Sequence, residues 1–143
     1  MKIFIDADGC PVVDIVLRLA AQAGLKAVIV CDTAHEFHRD GVETITVSQG
    51  ADSVDFALVN RLKEGDIAVT QDYGLAAMCL AKGARPIRQD GLIYDKDNMD
   101  QLLAERHASQ KIRRGGGRVK GPKKRTAAQD REFENFLKDL MAK

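Results

Sequence analysis

An α/β fold with a mainly parallel sheet is what this 143-residue chain predicts, and three observations carry the prediction. Short apolar runs alternate with helix-length segments over residues 1–110. One of those runs, KAVIVC at 26–31, is apolar on both faces, as a strand inside a parallel sheet must be. Glycines at 24, 65 and 83 stand where apolar helical segments end, the position favoured for a left-handed stop. With 45% apolar residues, the length suits one domain with a full core.

The elements follow in order. Residues 2–6 (KIFID) read as a strand that ends in acid, and Gly9 with Pro11 turns it into a helix over 12–23. KAVIVC returns as the next strand, making a βαβ unit with a right-handed crossover. Residues 32–41 are polar and turn-like, ETITV at 43–47 alternates as a strand, and a helix is expected over 51–64. DIAVT at 66–70 is a further buried strand, followed by a helix over 75–82, a short strand over 85–88, a turn at Asp90 and Gly91, and a helix over 98–109. The Gly- and Lys/Arg-rich KIRRGGGRVKGPKK at 111–124 reads as a linker or arm. Thr126 and Gln129 form a capping box for a last helix, on which Phe133, Phe136, Leu137, Leu140 and Met141 share a stripe. That stripe needs a surface, either its own domain, a second copy or another partner. The expected division is an α/β domain over 1–110, a basic arm over 111–125 and an amphipathic helix over 126–143.

Charge is segregated. Nine Lys or Arg and no acid fall between Arg106 and Arg125, so a chain of formal net charge +1 is left net negative by eight elsewhere. Such asymmetry concerns association, and it points to a polyanionic partner or a bound cation. Cys10, Cys31 and Cys79 are odd in number and lack CxxC spacing, which fits reduced thiols in a cytoplasmic protein and argues against a structural zinc site. Asp6 and Asp8 interrupt any signal-peptide core, and no apolar run is long enough to span a membrane.

The acids carry the chemistry. Asp6 and Asp8 end the first strand, Asp72 follows a later buried strand, and Asp52 with Asp55 lie i, i+3 on one face at the start of a helix. The helix dipole alone would account for the last two, at roughly 0.3–1 kcal/mol each. Carboxylates converging without Lys or Arg between them repel one another, a cost that Mg²⁺ or Mn²⁺ relieves. Such ions activate water and stabilise the leaving oxygen of a phosphodiester.

IDAD at 5–8, ADSVD at 51–55 and TQDYGLA at 70–76 together resemble a PIN-like nuclease domain. DADGCP at 6–11, GADSVD at 50–55, VTQDYGLA at 69–76, DG at 90–91 and GP followed by DREF in the tail resemble, more closely, the bacterial YaiI/YqxD family, over nearly the whole chain. The resemblance implies a PIN-like three-layer sandwich and a metal-dependent nuclease acting on RNA ahead of DNA. It implies Asp6 and Asp72 as metal ligands, with Asp55 or Asp52 in place of the usual helix Glu and Asp8 beside them. Asp6, Asp55 and Asp72 would be the catalytic set, and Thr70 would orient Asp72. Arg113, Arg114, Arg118, Lys120, Lys123, Lys124 and Arg125 would hold phosphates, without base stacking because no aromatic interrupts the arm.

Other readings stay open here. IDADG also resembles the haloacid-dehalogenase phosphatase motif, although Cys10 stands where Thr is expected and Asp72 is single where a pair is usual. A non-catalytic nucleic-acid-binding module is the third. Cys10 is read as packing, His35 and His38 as weak ligand candidates, Asp90 as a turn residue or fourth acid, and Tyr73 as lining the site or covering a helix.

Overall fold

The computed structural model describes residues 1–32, 37, 39–48, 53–114 and 124–143, with side chains of 106–114 outside that description. Ten elements follow one another: β1 (Lys2–Asp6), α1 (Val13–Ala23), β2 (Lys26–Asp32), β3 (Glu43–Val47), α2 (Ser53–Arg61), β4 (Ile67–Val69), α3 (Tyr73–Ala81), β5 (Arg85–Ile87), α4 (Lys96–Arg114) and α5 (Ala127–Met141). The strands form one parallel sheet in the order β3-β2-β1-β4-β5.

Alternation along each strand makes the sheet two-faced and explains the three layers. Ile3 and Ile5 of β1, Ile29 and Cys31 of β2 and Ile67 and Val69 of β4 join one core with α1 and α5. Phe4, Val28, Val30 and Ala68 face the other way and pack against Leu58 and Leu62 from the α2 segment and Leu75 and Cys79 of α3. A smaller cluster of Ala76, Tyr94, Met99 and Leu102 seats α4 on the outside of α3. The fold is thus the expected α/β sandwich with a central parallel sheet.

Several element ends differ from the sequence reading, each for a local reason. α2 stops at Arg61 because Asp66 captures the Lys63 N–H with one carboxylate oxygen and the Lys2 N–H with the other, both at 2.9 Å. That buried carboxylate turns the chain into β4 and pins the start of β1. α3 begins two residues early because Asp72 is its N-cap, accepting from the Leu75 N–H at 3.1 Å. α4 begins early, where Asp95 and Asn98 bond each other's backbone N–H, and it runs on through Arg114. The first four residues of the expected arm are therefore helical, as Lys, Ile and Arg permit. Gly24 adopts the left-handed stop expected of it, φ 71°, with its N–H on the carbonyls of Ala20 and Ala21.

The stripe on α5 finds its surface within the chain. The capping box forms as expected, and Phe133, Leu137 and Leu140 are buried in the core beside α1. Arg85 Nη1 donates to the Leu140 carbonyl at 2.7 Å, and Arg18 of α1 pairs with Glu134. Phe136 is 46% exposed, so it leaves the stripe and lies instead against Gly91.

Candidate acidic site at the switch point of the sheet

From β1 the chain steps outward through β2 to β3, and it then returns to the other side of β1 for β4 and β5. The loops leaving β1 and β4 therefore diverge, and a crevice opens beyond their carboxyl ends, where open α/β sheets bind ligands. Asp6 ends β1 and Thr70 and Asp72 follow β4, so the two acids come from the two strands that flank this point. A pocket of about 390 Å³ lies there, lined by Asp6, Asp8, Gln71, Asp72 and Tyr73.

Each side chain is held by its own segment. Thr70 is fully buried; its hydroxyl donates to Asp6 Oδ2 at 2.8 Å and accepts from the Asp72 N–H at 3.0 Å. One hydroxyl thus couples the two strand ends. Thr70, expected to orient Asp72, holds it through the backbone N–H; its carboxylate contact is Asp6, and the Asp72 carboxylate itself caps α3. Asp8 Oδ2 accepts from the Asp32 N–H at 3.1 Å, which ties the β1 loop to the end of β2. The Gln71 side-chain oxygen accepts from the Gln89 N–H at 3.1 Å.

The electrostatics register the crowding. Asp6 is pushed up from 3.8 to about 6, first by burial and then by the charges of Asp55, Asp72 and Asp8, with only Thr70 working against the rise. Asp55, on the first turn of α2, is thereby placed within the field of the pocket. Asp52 lies outside the described residues. Among the described residues, no three His, Cys, Asp or Glu side chains are already grouped so as to hold an ion between them. The donors at the pocket are nonetheless all oxygen, and Mg²⁺ binds through one or two carboxylates while keeping several waters. The chemistry of these residues suits such an ion, which Asp6 and Asp72 would hold through their carboxylates with Asp8 and Asp55 adding negative charge nearby.

The remaining candidates divide. Asp90 is bound by Arg88, with Nε and Nη2 on its two oxygens at 2.9 and 2.7 Å, and Arg88 holds its carboxyl below the ordinary range. It is a turn residue with a fixed partner. Cys10 is half-buried, its thiol pushed up to about 11 by burial, in keeping with a packing role. Arg125 turns inward: its guanidinium bonds Asp130 and donates to the Gln89 carbonyl at 2.8 Å, so it anchors the end of the arm beside the pocket loop. Lys124 is exposed. The backbone of Arg113 and Arg114 is helical, while Arg118, Lys120, Lys123, His35 and His38 lie outside the described residues.

Three neighbours escaped the sequence reading as site residues. Gln71 lines the pocket between Thr70 and Asp72, and its position inside TQD was the available signal. Tyr94 donates from its hydroxyl to the Thr70 carbonyl at 3.1 Å. Arg88 Nη1 donates to the Tyr73 hydroxyl at 3.1 Å, and nothing in its sequence context marked it.

A parallel sheet in the order 3-2-1-4-5, sandwiched between helices and carrying acids beyond the ends of its first and fourth strands, defines a three-layer α/β protein with an acidic pocket at its switch point. The chain belongs to the YaiI/YqxD family, whose model, described as "Uncharacterized BCR, YaiI/YqxD family", matches residues 4–143. It is 56% identical to a "UPF0178 protein" of Exiguobacterium sibiricum over 99% of this chain and 96% of that one. It is 50% identical to a "UPF0178 protein" of Alkaliphilus oremlandii over 96% and 88% of the two chains. Among solved structures it is similar to the crystal structure of a tryptophan-to-leucine mutant of Rae1 (YacP) from Bacillus subtilis, at 14% identity and a TM-score of 0.47 over 99% of each chain.

Proposed function

We propose that this protein is a divalent-metal-dependent nuclease, acting on RNA ahead of DNA. The observation that carries the reading is the meeting of Asp6, Asp8 and Asp72, from two different strand ends, on one pocket at the switch point. The charge of Asp55 adds to them. The preference for RNA rests on the resemblance to PIN-like nucleases alone. The three free cysteines support a reducing, cytoplasmic setting.

Bound in the pocket, Mg²⁺ or Mn²⁺ would supply a water activated for attack and a positive centre for the charge that develops on the phosphodiester. The protein's own part is positioning. Asp6 and Asp72 would hold the ion, with Asp55 and Asp8 adding negative charge around it. Thr70 keeps one Asp6 oxygen aimed and favours its ionised form. Lys124 and the arm residues Arg113, Arg114, Arg118, Lys120 and Lys123 draw in a polyanion that the acids alone would repel. Arg125 holds the arm's end at the pocket loop and contributes there as an anchor.

The test takes metal-stripped protein with end-labelled single- and double-stranded RNA and DNA, with and without Mn²⁺ or Mg²⁺, beside Asp72→Asn. Cleavage that needs metal and is lost in Asp72→Asn is expected. Binding that weakens steeply with salt, without any product, would instead make the protein a binding module.

A further inference from the structure

We propose that Tyr73 is a base-stacking platform, and that the site therefore selects a single-stranded nucleic acid whose unstacked base lies beside the phosphate held over the acids. The inference rests on the nuclease reading for its substrate and on Tyr73's own geometry for its placement. Among the described residues that line the acid pocket, Tyr73 is the one aromatic, directly after Asp72 in the chain and half-buried.

Its ring is fixed from two sides. The hydroxyl accepts from Arg88 Nη1 at 3.1 Å, and Arg88 is itself held on both Asp90 oxygens. The ring meets Tyr94 edge-on, with centroids 6.0 Å apart and planes at 68°. Tyr94 in turn is anchored through its hydroxyl to the carbonyl of Thr70, the residue that couples Asp6 and Asp72. The platform and the acids therefore share one rigid support, and a tyrosine with two side-chain torsions loses little entropy when a base stacks on it. The basic arm carries no aromatic, so stacking by this chain has to come from the folded body, and at the acids this ring supplies it. In a duplex, both faces of an internal base are already stacked, so a splayed strand is what can use the ring.

The experiment uses the full chain and a short single-stranded RNA carrying 2-aminopurine, whose emission falls on stacking. Binding is followed in Ca²⁺, an oxygen-seeking ion, and turnover in Mn²⁺. Tyr73→Ala should lose the quenching and raise KM roughly ten- to hundredfold with a much smaller change in kcat, while Tyr73→Phe keeps the quenching. A series of RNAs with one base removed at a time should show one position where removal weakens wild-type binding by a similar factor. Quenching and KM that survive Tyr73→Ala overturn the inference and leave the nuclease reading intact. Quenching that follows this pattern in a protein that cuts nothing upholds the platform and sinks the nuclease. If Tyr73→Ala does not fold, the abasic series decides, and affinities that stay within about twofold at every position overturn the platform.

Discussion

Replacing Asp6 by Asn should make the metal-free protein more stable while abolishing metal-dependent cleavage. Asp6 is raised from 3.8 to about 6 by burial and by its acidic neighbours. At 1.36 kcal/mol per pH unit, ionised Asp6 therefore costs the fold about 3 kcal/mol. The folded protein binds this proton more tightly than the unfolded chain does. The cost is thus absent below about pH 4, grows as pH rises toward 6, and is complete above it. Asn is neutral throughout and still accepts from the Thr70 hydroxyl, so the variant escapes the cost and keeps the contact. With an unfolding entropy of about 2.1 cal/mol/K per residue, the gain at pH 8 corresponds to a rise in Tm on the order of 10 °C. Urea and thermal unfolding of both proteins without metal, at pH 4.5 and pH 8, measure it. Added Mn²⁺ should then stabilise the wild type alone and narrow the gap. A variant no more stable than wild type at pH 8, or equally favoured at both pH values, would refute the account of Asp6 as a carboxylate held at a cost.

Thr70→Val keeps the volume of a fully buried side chain and removes the hydroxyl between Asp6 and Asp72, with an expected loss of about 2 kcal/mol by urea unfolding. Because Thr70 lowers the Asp6 pKa, the acidic limb of the pH–rate profile should move to higher pH in that variant. Phe133→Ala, at a fully buried position of α5, should cost about 3–5 kcal/mol in a single cooperative transition, since the helix is part of the main core. Gly91→Ala should destabilise by about 2 kcal/mol or more: φ is 92°, and an added Cβ would stand 2.4 Å from Phe136 Cδ2. Phe136→Ala in the same chain should recover the steric part of that loss and not the backbone part.

The sheet was legible because its central strands β1, β2 and β4 are buried on both faces and so appear as apolar runs, while edge strand β3 showed by alternation, and the acids stood out as charges placed at the ends of the central runs. The three-layer arrangement follows from the same alternation. Contacts that depend on which strands become neighbours were less legible. Thr70 reaches Asp6 across 64 residues of sequence, and only the return of β4 to the side of β1 makes that bond possible. Short polar side chains carried two meanings that spacing cannot separate. Asp72 is both a site acid and the cap of α3, and Asp66 is a buried knot at the opposite end of the sheet. Arg88, Asp90 and Tyr73 form their chain of bonds through a turn whose sequence shows only a DG pair. Arg125 belongs by composition to the arm and by contact to the fold.

The docking of α5 has a consequence for how the protein comes into being. The core that it shares with β1 joins residues 3–5 to residues 133–140, so the part of that apolar face which α1 leaves open stays uncovered until residues 127–141 have emerged from the ribosome. Closing it is a late step, made by contacts of high sequence separation. The acids of β1 and β4 come to rest on a finished support only once α5 has docked.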